Sequence, residues 1–304
     1  MRQKLTVLIP CRNECDNIRA CIESARLVAD EILVADSGST DGTLETLRTI
    51  PDCKVISREW NGYAACKNWA IPQAAHPWVL IVDADERVTP QLAEEIRNVL
   101  GHPSDRIDGY RIRHRAFFLG HELKYSGRNT TSACRLIRRD VCRYKNVRVH
   151  EEIDVMPKRV GRLREKFIHY EYRCYDHYFS KRLRYTQLGA EDRWQSGQRT
   201  GLVGLLISPV LRFLHLYLVR LGCLDGLAGL QICMLTAFFN TFVKQARLWE
   251  KQHAVPQEVV ERSMGTLPAA GEDTSPAESP TPDDRAHVLS GDPPCDESQS
   301  LRAA

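Results

Sequence analysis

Residues 78–86 read Trp78-Val79-Leu80-Ile81-Val82-Asp83-Ala84-Asp85-Glu86. A short apolar run, β-branched at three positions, ends there in three acids. Such a run predicts a buried strand of a parallel sheet. Open α/β sheets bind ligands at the carboxyl ends of their strands, so Asp83 and Asp85 would lie in the ligand crevice. Two carboxylates there suit a hard divalent cation held between the protein and a diphosphate, although an acidic turn that caps the next helix remains the other interpretation.

The segments on both sides of this run alternate between strand and helix patterns. Earlier strands are predicted at 5–10, 31–35 and 53–57, with helices at 16–25, 43–50, 63–74 and 90–100. This β-α alternation predicts a doubly wound parallel sheet. Either Asp16 or Asn17 is expected to cap the first helix. Further strands are expected near 109–118, 134–139 and 147–152.

Four loops at the carboxyl ends of the predicted strands carry polar groups. They are Arg12-Asn13-Glu14, Asp36 to Asp41, Lys67-Asn68, and Asp83 with Asp85. Parallel strands end at one edge of the sheet, so these loops should converge. They supply an acid for a base or ribose, a cation for phosphates and carboxylates for a metal, which is what a nucleotide diphosphate needs. The sequence has neither Gly-x-Gly-x-x-Gly after the first strand nor a phosphate-loop motif, which argues against a dinucleotide fold and a phosphate-loop NTPase.

Charge and proline are unevenly distributed along the 304 residues. Residues 255–304 hold ten acidic residues, three basic residues and seven of the fifteen prolines, which predicts a disordered tail. The remaining residues hold 39 basic and 29 acidic side chains, and a basic body suits an anionic partner. Nucleic acid is not the expected partner, because the sequence shows no nucleic-acid-binding module. The eleven cysteines show no Cys-x-x-Cys spacing and no signal peptide is visible, so reduced thiols in the cytoplasm are expected.

The most apolar stretch is 202–220, which Pro209 and three basic or histidine residues interrupt. A spanning helix needs about 20 mostly apolar residues, so an interfacial or re-entrant helix pair is expected rather than a span. A stripe at steps of three and four follows, and it either packs in the core or lies on a bilayer. The stripe consists of Leu227, Leu230, Met234, Phe238 and Phe242. We therefore expect a catalytic domain at 1–172, a helical, membrane-associated region at 173–253 and a tail at 254–304.

Three motifs in this order resemble those of family 2 glycosyltransferases. They are Val7-Leu8-Ile9-Pro10-Cys11-Arg12-Asn13-Glu14, Ile32-Leu33-Val34-Ala35-Asp36-Ser37-Gly38-Ser39-Thr40-Asp41-Gly42-Thr43, and Val82-Asp83-Ala84-Asp85-Glu86. The resemblance covers about residues 4–170 and implies a GT-A nucleotide-diphospho-sugar transferase fold with a Rossmann-like, mostly parallel sheet. Residues 135–139, 149–152 and 225–230 resemble the bacterial lipopolysaccharide-core heptose glucosyltransferase group. A Gln-x-x-Arg-Trp run, typical of processive synthases, is absent from the sequence, so a single transfer is expected.

The resemblance also implies roles for individual residues. Nucleotide-sugar binding would fall to Pro10, Arg12, Glu14, Asp36, Ser39, Asp41, Lys67, Asn68, Asp83 and Arg135. Asp85 would ligate Mg²⁺ or Mn²⁺, with Asp83 and His150 as further ligands, although His150 could equally be a packed or capping residue. A divalent cation and nearby basic groups such as Lys67 and Arg135 stabilise a departing diphosphate. The base that accepts the acceptor's hydroxyl proton would be Glu151 or, as second choice, Glu152, which could instead be a solvated strand end.

These expectations combine into one functional hypothesis with two alternatives. The protein would be an inverting, metal-dependent enzyme that moves one hexose, with glucose expected, from a UDP-sugar to a lipopolysaccharide-core or related glycolipid. It would act in the cytoplasm, in peripheral contact with the anionic cytoplasmic face of the inner membrane. The alternatives are a glycosyltransferase acting on a polyprenyl phosphate or a protein, and a non-catalytic nucleotide- or RNA-binding protein.

Overall fold

The computed structural model describes residues 2–129, 132–145 and 153–264. The predicted residues His150, Glu151 and Glu152, the predicted strand at 147–152 and most of the predicted tail lie outside these ranges. Each of the ten cysteines inside them is a free thiol. Residues Met1–Ala254 form one compact unit, and the described residues from Val255 onward belong to a second.

The first half of the chain builds a four-stranded parallel sheet. Its strands are β1 (Leu5–Cys11), β2 (Glu31–Asp36), β3 (Lys54–Ser57) and β4 (Trp78–Ile81), in the order β3-β2-β1-β4. Its helices are α1 (Cys15–Ala25), α2 (Thr43–Arg48), α3 (Tyr63–Ala70) and α4 (Pro90–Gly101). The sheet is buried on both faces, since Leu80 packs in a cluster with Ile18 and Leu92, while Ile81 packs with Ala70. Burial on both faces explains why β1 and β4 are continuous apolar runs.

One local prediction in this half is wrong. Helix α1 already begins at Cys15, so neither Asp16 nor Asn17 occupies the cap position. The backbone N–H of Glu14 donates to Thr43 Oγ1 at 2.9 Å, and that of Cys15 donates to Asp41 Oδ2 at 3.0 Å. Backbone N–H groups at the start of α1 are therefore bound by one side chain from the loop before α2 and one from the first residue of α2, which a local capping rule does not consider.

The second half extends the same sheet with strands of mixed direction. They are β5 (Glu86–Arg87), β6 (Gly109–Phe118), β7 (His121–Leu123), β8 (Ser132–Arg138) and β9 (Val160–Tyr172). The order continues β4-β8-β6-β9-β5, with β7 paired to β6. Strand β8 is antiparallel to β4 and β6, whereas β6 and β9 are parallel. The predicted strands at 109–118 and 134–139 correspond to β6 and β8, but the sequence analysis did not predict β5, β7 or β9.

Helices follow the sheet. They are α5 (Tyr175–Gln195), α6 (Leu202–Leu214) with a π-helical extension at His215–Val219, a 3₁₀ turn at Gly222–Asp225, α7 (Gly226–Met234) with a π-helical extension at Leu235–Thr241, and α8 (Phe242–His253). Tyr178, Leu216 and Ile232 pack against Phe118 and Leu123 of the sheet. The segments Leu202–Val219 and Gly222–His253 are long and apolar enough to cross a membrane, judged by length and composition alone. In the second unit, Gln257–Ser263 form α9.

We call the segment 202–253 the apolar hairpin. Most large side chains of α6 point into solvent, where Leu202 is 72% and Leu206 59% exposed. Four of the five residues in the predicted stripe are exposed, from 77% at Leu227 to 41% at Phe238 and Phe242, and Leu230 is half-buried. Most of the stripe therefore lies outside the core, and the hairpin presents an apolar surface that the described part of the chain does not cover.

Candidate functional site

The three acids that follow β4 separate into three different surroundings. A tight turn fixes them, because the N–H of Glu86 donates to the carbonyl of Asp83 at 2.8 Å, and the N–H of Asp83 donates to Glu86 Oε2 at 3.0 Å. Asp83 then faces α3 and β8, whereas Asp85 faces β9 and α5. We call this group of acids and their cations the charge cluster.

Asp83 lies between two cations that the sequence analysis had assigned to the same site. Its Oδ2 accepts a hydrogen bond from Arg135 Nη2 at 2.5 Å, and its Oδ1 lies 3.5 Å from Lys67 Nζ. Burial opposes ionisation of Asp83, but Arg135 and Lys67 outweigh it and hold the pKa of this carboxyl well below its usual range. Its side chain is still 34% exposed, so Asp83 can reach a ligand in the crevice.

Asp85 is paired with two residues that the sequence analysis missed. Its Oδ2 lies 3.3 Å from His169 Nε2 and 3.3 Å from Lys181 Nζ. Burial would raise the pKa of Asp85, but these cations hold it well below its usual range. In turn, burial lowers the pKa of His169 but the charge of Asp85 more than compensates, and the pKa of the imidazole rises to about 9. His169 is positioned by the pairing of β9 with β5, and Lys181 by α5.

Glu86 is buried behind the other two acids of the cluster and does not face the crevice. It is 1% exposed, and its Oε1 lies 3.0 Å from Arg135 Nη2 and 2.8 Å from His114 Nε2. Glu86 therefore shares the Arg135 guanidinium with Asp83 and fixes its orientation. Removal of either partner from such a buried ionic group leaves an uncompensated charge.

The loop after β2 is ordered by its own side chains. Buried Asp36 accepts hydrogen bonds from the N–H groups of Gly38 and Ser39 at 3.0 and 3.1 Å, and from Ser39 Oγ at 2.5 Å. Ser39 Oγ also accepts the N–H of Asn13 at 2.9 Å, and Asp41 holds the start of α1. These contacts join the loop after β1 to the loop after β2, so the two form one wall of the crevice.

Other predicted residues occupy the rim or a supporting position. Arg12 is exposed, and its guanidinium carbon lies 5.4 Å from the Trp60 ring centroid. Pro10 is half-buried near the end of β1. Burial raises the pKa of Glu14 to about 7, with help from the charge of Asp85. The Asn68 amide binds the backbone of Tyr144 as donor at 2.9 Å and as acceptor at 2.8 Å, so it anchors that segment instead of facing the crevice.

The residues around Asp85 could take part in a metal site but do not complete one. Within residues 2–129, 132–145 and 153–264, no group of three His, Cys, Asp or Glu side chains is arranged to hold a metal ion. Asp85 offers a carboxylate on this side of the crevice, and His169 would offer an imidazole nitrogen once a bound ion displaces the proton that it holds beside Asp85. Carboxylate oxygens suit Mg²⁺ and Mn²⁺, which keep further positions for water and substrate phosphates. The donor set therefore fits a divalent cation whose remaining ligands come from a diphosphate.

Comparisons with known proteins bear on the whole arrangement. Residues 6–144 match the family described as glycosyl transferase family 2. The lipopolysaccharide core biosynthesis glycosyltransferase LpsC of Rhizobium meliloti (strain 1021) is 33% identical over 83% of this chain and 93% of its own length. An uncharacterized glycosyltransferase of Rickettsia typhi, RT0209, is 26% identical over 82% of this chain and 87% of its own.

A solved structure shows a more limited likeness. A glucosyl-3-phosphoglycerate synthase from Mycobacterium tuberculosis, crystallised with Mn²⁺, UDP and phosphoglyceric acid, is 25% identical over 37% of this chain and 44% of its own. The TM-score is 0.33, which is too low to transfer its donor, metal or acceptor to this chain.

Proposed function

The chain belongs to glycosyl transferase family 2, and from that premise we propose that it transfers a single hexose, with inversion, from a UDP-sugar to a lipopolysaccharide-core or related glycolipid. The observation that carries the proposal is the charge cluster, in which two carboxylates face four basic side chains at the carboxyl end of β4. These side chains are Lys67, Arg135, His169 and Lys181. A sugar–phosphate bond that breaks leaves a diphosphate with growing negative charge, and preorganised cations stabilise it.

In this proposal Asp85 holds Mg²⁺ or Mn²⁺, Asp83 and His150 are further candidate ligands, and His169 can join them by giving up its proton to solvent. When bound, the ion supplies Lewis-acid stabilisation to the departing diphosphate. Lys181 lies against the same oxygen of Asp85 as His169 and contributes a positive charge that belongs to the protein itself. Asp83, held by Lys67 and Arg135, faces the nucleotide side.

The nucleoside would lie against the wall formed by the two loops after β1 and β2. Arg12 and Arg184 approach the Trp60 ring at 5.4 and 5.6 Å, which makes a surface where a planar base can stack. Pro10, Glu14 and Asp36 lie on the same side of the sheet edge, as do Ser39 and Asp41. We propose that this wall binds the uracil and the ribose.

Glu151 stays our first choice for the catalytic base, with Glu152 second. Tyr144 and Ile153, which flank the segment containing both, form a β-bridge with each other. The Tyr144 ring centroid lies 5.2 Å from Lys67 Nζ, next to Asp83. The segment that contains both acids therefore begins beside Lys67, which supports the choice of a base from it.

The acceptor is assigned from the apolar hairpin and from the LpsC relative. A surface with this much exposed leucine, valine and phenylalanine is typical of a membrane or protein interaction site. We propose that the catalytic domain, 1–172, is held at the cytoplasmic face of the inner membrane by the helical region, 173–253, and that residues 254–304 form a separate tail. Lys181 belongs to the helical region, so the two regions share the donor site.

A screen of UDP-sugars tests the proposal, with UDP release as the readout and native glycolipid, polyprenyl phosphate and protein as alternative acceptors. With Mn²⁺ present, Asp85→Ala should lower turnover by at least about 100-fold, since a metal ion contributes several kcal/mol of transition-state stabilisation. Asp105→Ala is the matched control, because Asp105 is fully exposed and distant in sequence from the cluster. Equal activity of the two variants would show that Asp85 has no role in holding the metal.

A further inference from the structure

A second cleft lies outside the crevice at β4. It is an open pocket of about 210 Å³ between the loop after β7 and the end of the π-helical extension of α6. Its lining residues are Lys124, Tyr125, Gly127, Asn129, Val219, Arg220 and Leu221. None of them belongs to the charge cluster, and the mechanism proposed above does not use them.

The walls of this pocket are fixed to each other. The Asp225 carboxylate accepts the N–H groups of Lys124 and Tyr125 at 2.9 and 3.0 Å, and the N–H of Ser126 donates to the carbonyl of Arg220 at 2.9 Å. Gly222 packs so closely behind the pocket that a Cβ there would lie 2.6 Å from Cys233 Sγ and 2.9 Å from the carbonyl oxygen of Leu216. The pocket is therefore preformed.

Two cations, Lys124 and Arg220, are among the lining residues, and both are exposed. No described carboxylate forms an ion pair with Lys124 or Arg220. The Asp225 carboxylate keeps its negative charge beside the lining while it binds the N–H groups of Lys124 and Tyr125, and Glu122 is paired with Arg115 at 2.9 and 3.0 Å, so Lys124 and Arg220 leave the pocket with a net positive charge. Lys166 Nζ donates to Asn129 Oδ1 at 3.0 Å, which brings a third positive charge to the far wall. An anion that enters this pocket meets positive charge and polar donors.

The rim of the pocket is apolar and continuous with the apolar hairpin. Val219 is 68% exposed and Leu221 45%, and both belong to the pocket lining. A pocket of net positive charge beside an exposed apolar helix matches a ligand that carries an anionic group and an apolar chain on the same molecule. By volume the pocket holds about seven waters, which is enough for a phosphate and the glycerol attached to it.

We propose that this pocket binds the phosphate headgroup of an anionic membrane lipid, while its acyl chains lie along α6. The proposal rests on the membrane contact proposed above and gives that contact a specific site. Because the loop after β7 and the end of α6 hold each other in place, an occupied pocket fixes the orientation of the catalytic domain at the lipid surface. Lys124 and Arg220 are then the residues that select anionic over neutral lipid.

The test uses the full chain and vesicle co-sedimentation. Vesicles of phosphatidylcholine alone are compared with vesicles that also contain phosphatidylglycerol. We expect the double variant Lys124→Gln/Arg220→Gln to lose the preference for phosphatidylglycerol, by about fivefold in affinity for each cation removed, and to bind phosphatidylcholine vesicles as before. The control Lys158→Gln/Arg164→Gln removes the same charge from two exposed residues outside the pocket and should keep the preference.

Two results would overturn the proposal. One is a double variant that retains the preference of the control for phosphatidylglycerol. The other is calorimetric binding of inorganic phosphate that the double variant abolishes while vesicle binding stays unchanged, which would make the pocket a site for a soluble anion. UDP release without lipid, measured on the same samples, reports whether the donor site is intact, so a failure of the proposed function is distinguishable from a failure of the pocket.

Discussion

The charge cluster and the apolar hairpin depart from the usual distribution of residues in opposite ways. The cluster buries Asp85, Glu86, Lys67 and Arg135, whose types are rarely buried unless paired, and the hairpin exposes leucines that normally lie inside. In the cluster each carboxylate has basic partners, so the free-energy cost of burying its charge is offset within the protein. The described part of the chain does not cover the hairpin's apolar face. The free-energy cost of exposing that face to water is therefore offset only by a partner outside the protein. This difference indicates that the cluster is preorganised for catalysis, whereas the hairpin is suited to an interface.

The largest expected effect comes from Arg135→Met in the cluster. The change leaves both Asp83 and Glu86 without their shared guanidinium, although Lys67 and His114 remain. Loss of one partner from a buried ionic group lowers the free energy of unfolding by about 3–5 kcal/mol. Because Lys67 and His114 remain, we expect a decrease near the lower end of this range. Urea unfolding followed by circular dichroism measures it. The control Arg48→Met removes an exposed ion pair with Glu45 and should cost at most about 1 kcal/mol.

Lys181→Met should affect catalysis more than stability. Lys181 is the cation that the helical region contributes to the cluster, so its loss removes positive charge from the departing diphosphate. We expect turnover in UDP release to fall on the order of 100-fold, as for one lost donor at a developing charge, and Lys181→Arg to recover part of it. Lys251→Met, which removes an exposed pair with Glu191, is the control. Turnover that is equal in the two methionine variants would assign Lys181 no part in the reaction.

The sequence predicted the parallel half of this protein better than the rest, and the reason is physical. The parallel sheet and the meeting of Asp83 with Lys67 follow from local patterns plus the rule that the carboxyl ends of parallel strands converge. The GT-A fold class and the place of Arg135 came instead from the resemblance of the sequence motifs to a known family. His169 and Lys181 could not be placed that way, because both reach Asp85 through long-range pairing. Strand β9 is also rich in charged residues, and its buried positions Leu163, Phe167 and Tyr172 are irregularly spaced, so its period-2 signal is weak.

Glu14→Gln should show a pH-dependent change in stability. Burial first, and then the charge of Asp85, raises the pKa of Glu14 from 4.5 to about 7 in the folded protein. The folded state therefore binds more protons than the unfolded state between these values, and this group makes the wild type less stable as pH rises through that interval. The variant lacks this penalty, so it should gain about 1–2 kcal/mol relative to wild type between pH 5 and pH 8, less than the full shift implies because Glu14 is partly exposed. Glu45→Gln, at an exposed site, should gain nothing.

The smallest effect on stability is expected in the apolar hairpin, from Leu206→Gln. Leu206 is 59% exposed, so the substitution should change the free energy of unfolding by less than about 0.5 kcal/mol. Vesicle affinity should nevertheless fall roughly fivefold, since part of a leucine side chain contributes about 1 kcal/mol when it leaves water. Leu216→Gln is the counterpart on the packed side of the same hairpin, where Leu216 is 6% exposed, and it should cost several kcal/mol of stability. If Leu206→Gln destabilised the protein as much as Leu216→Gln, the exposed face would be part of the core, and the contrast between the two regions would disappear.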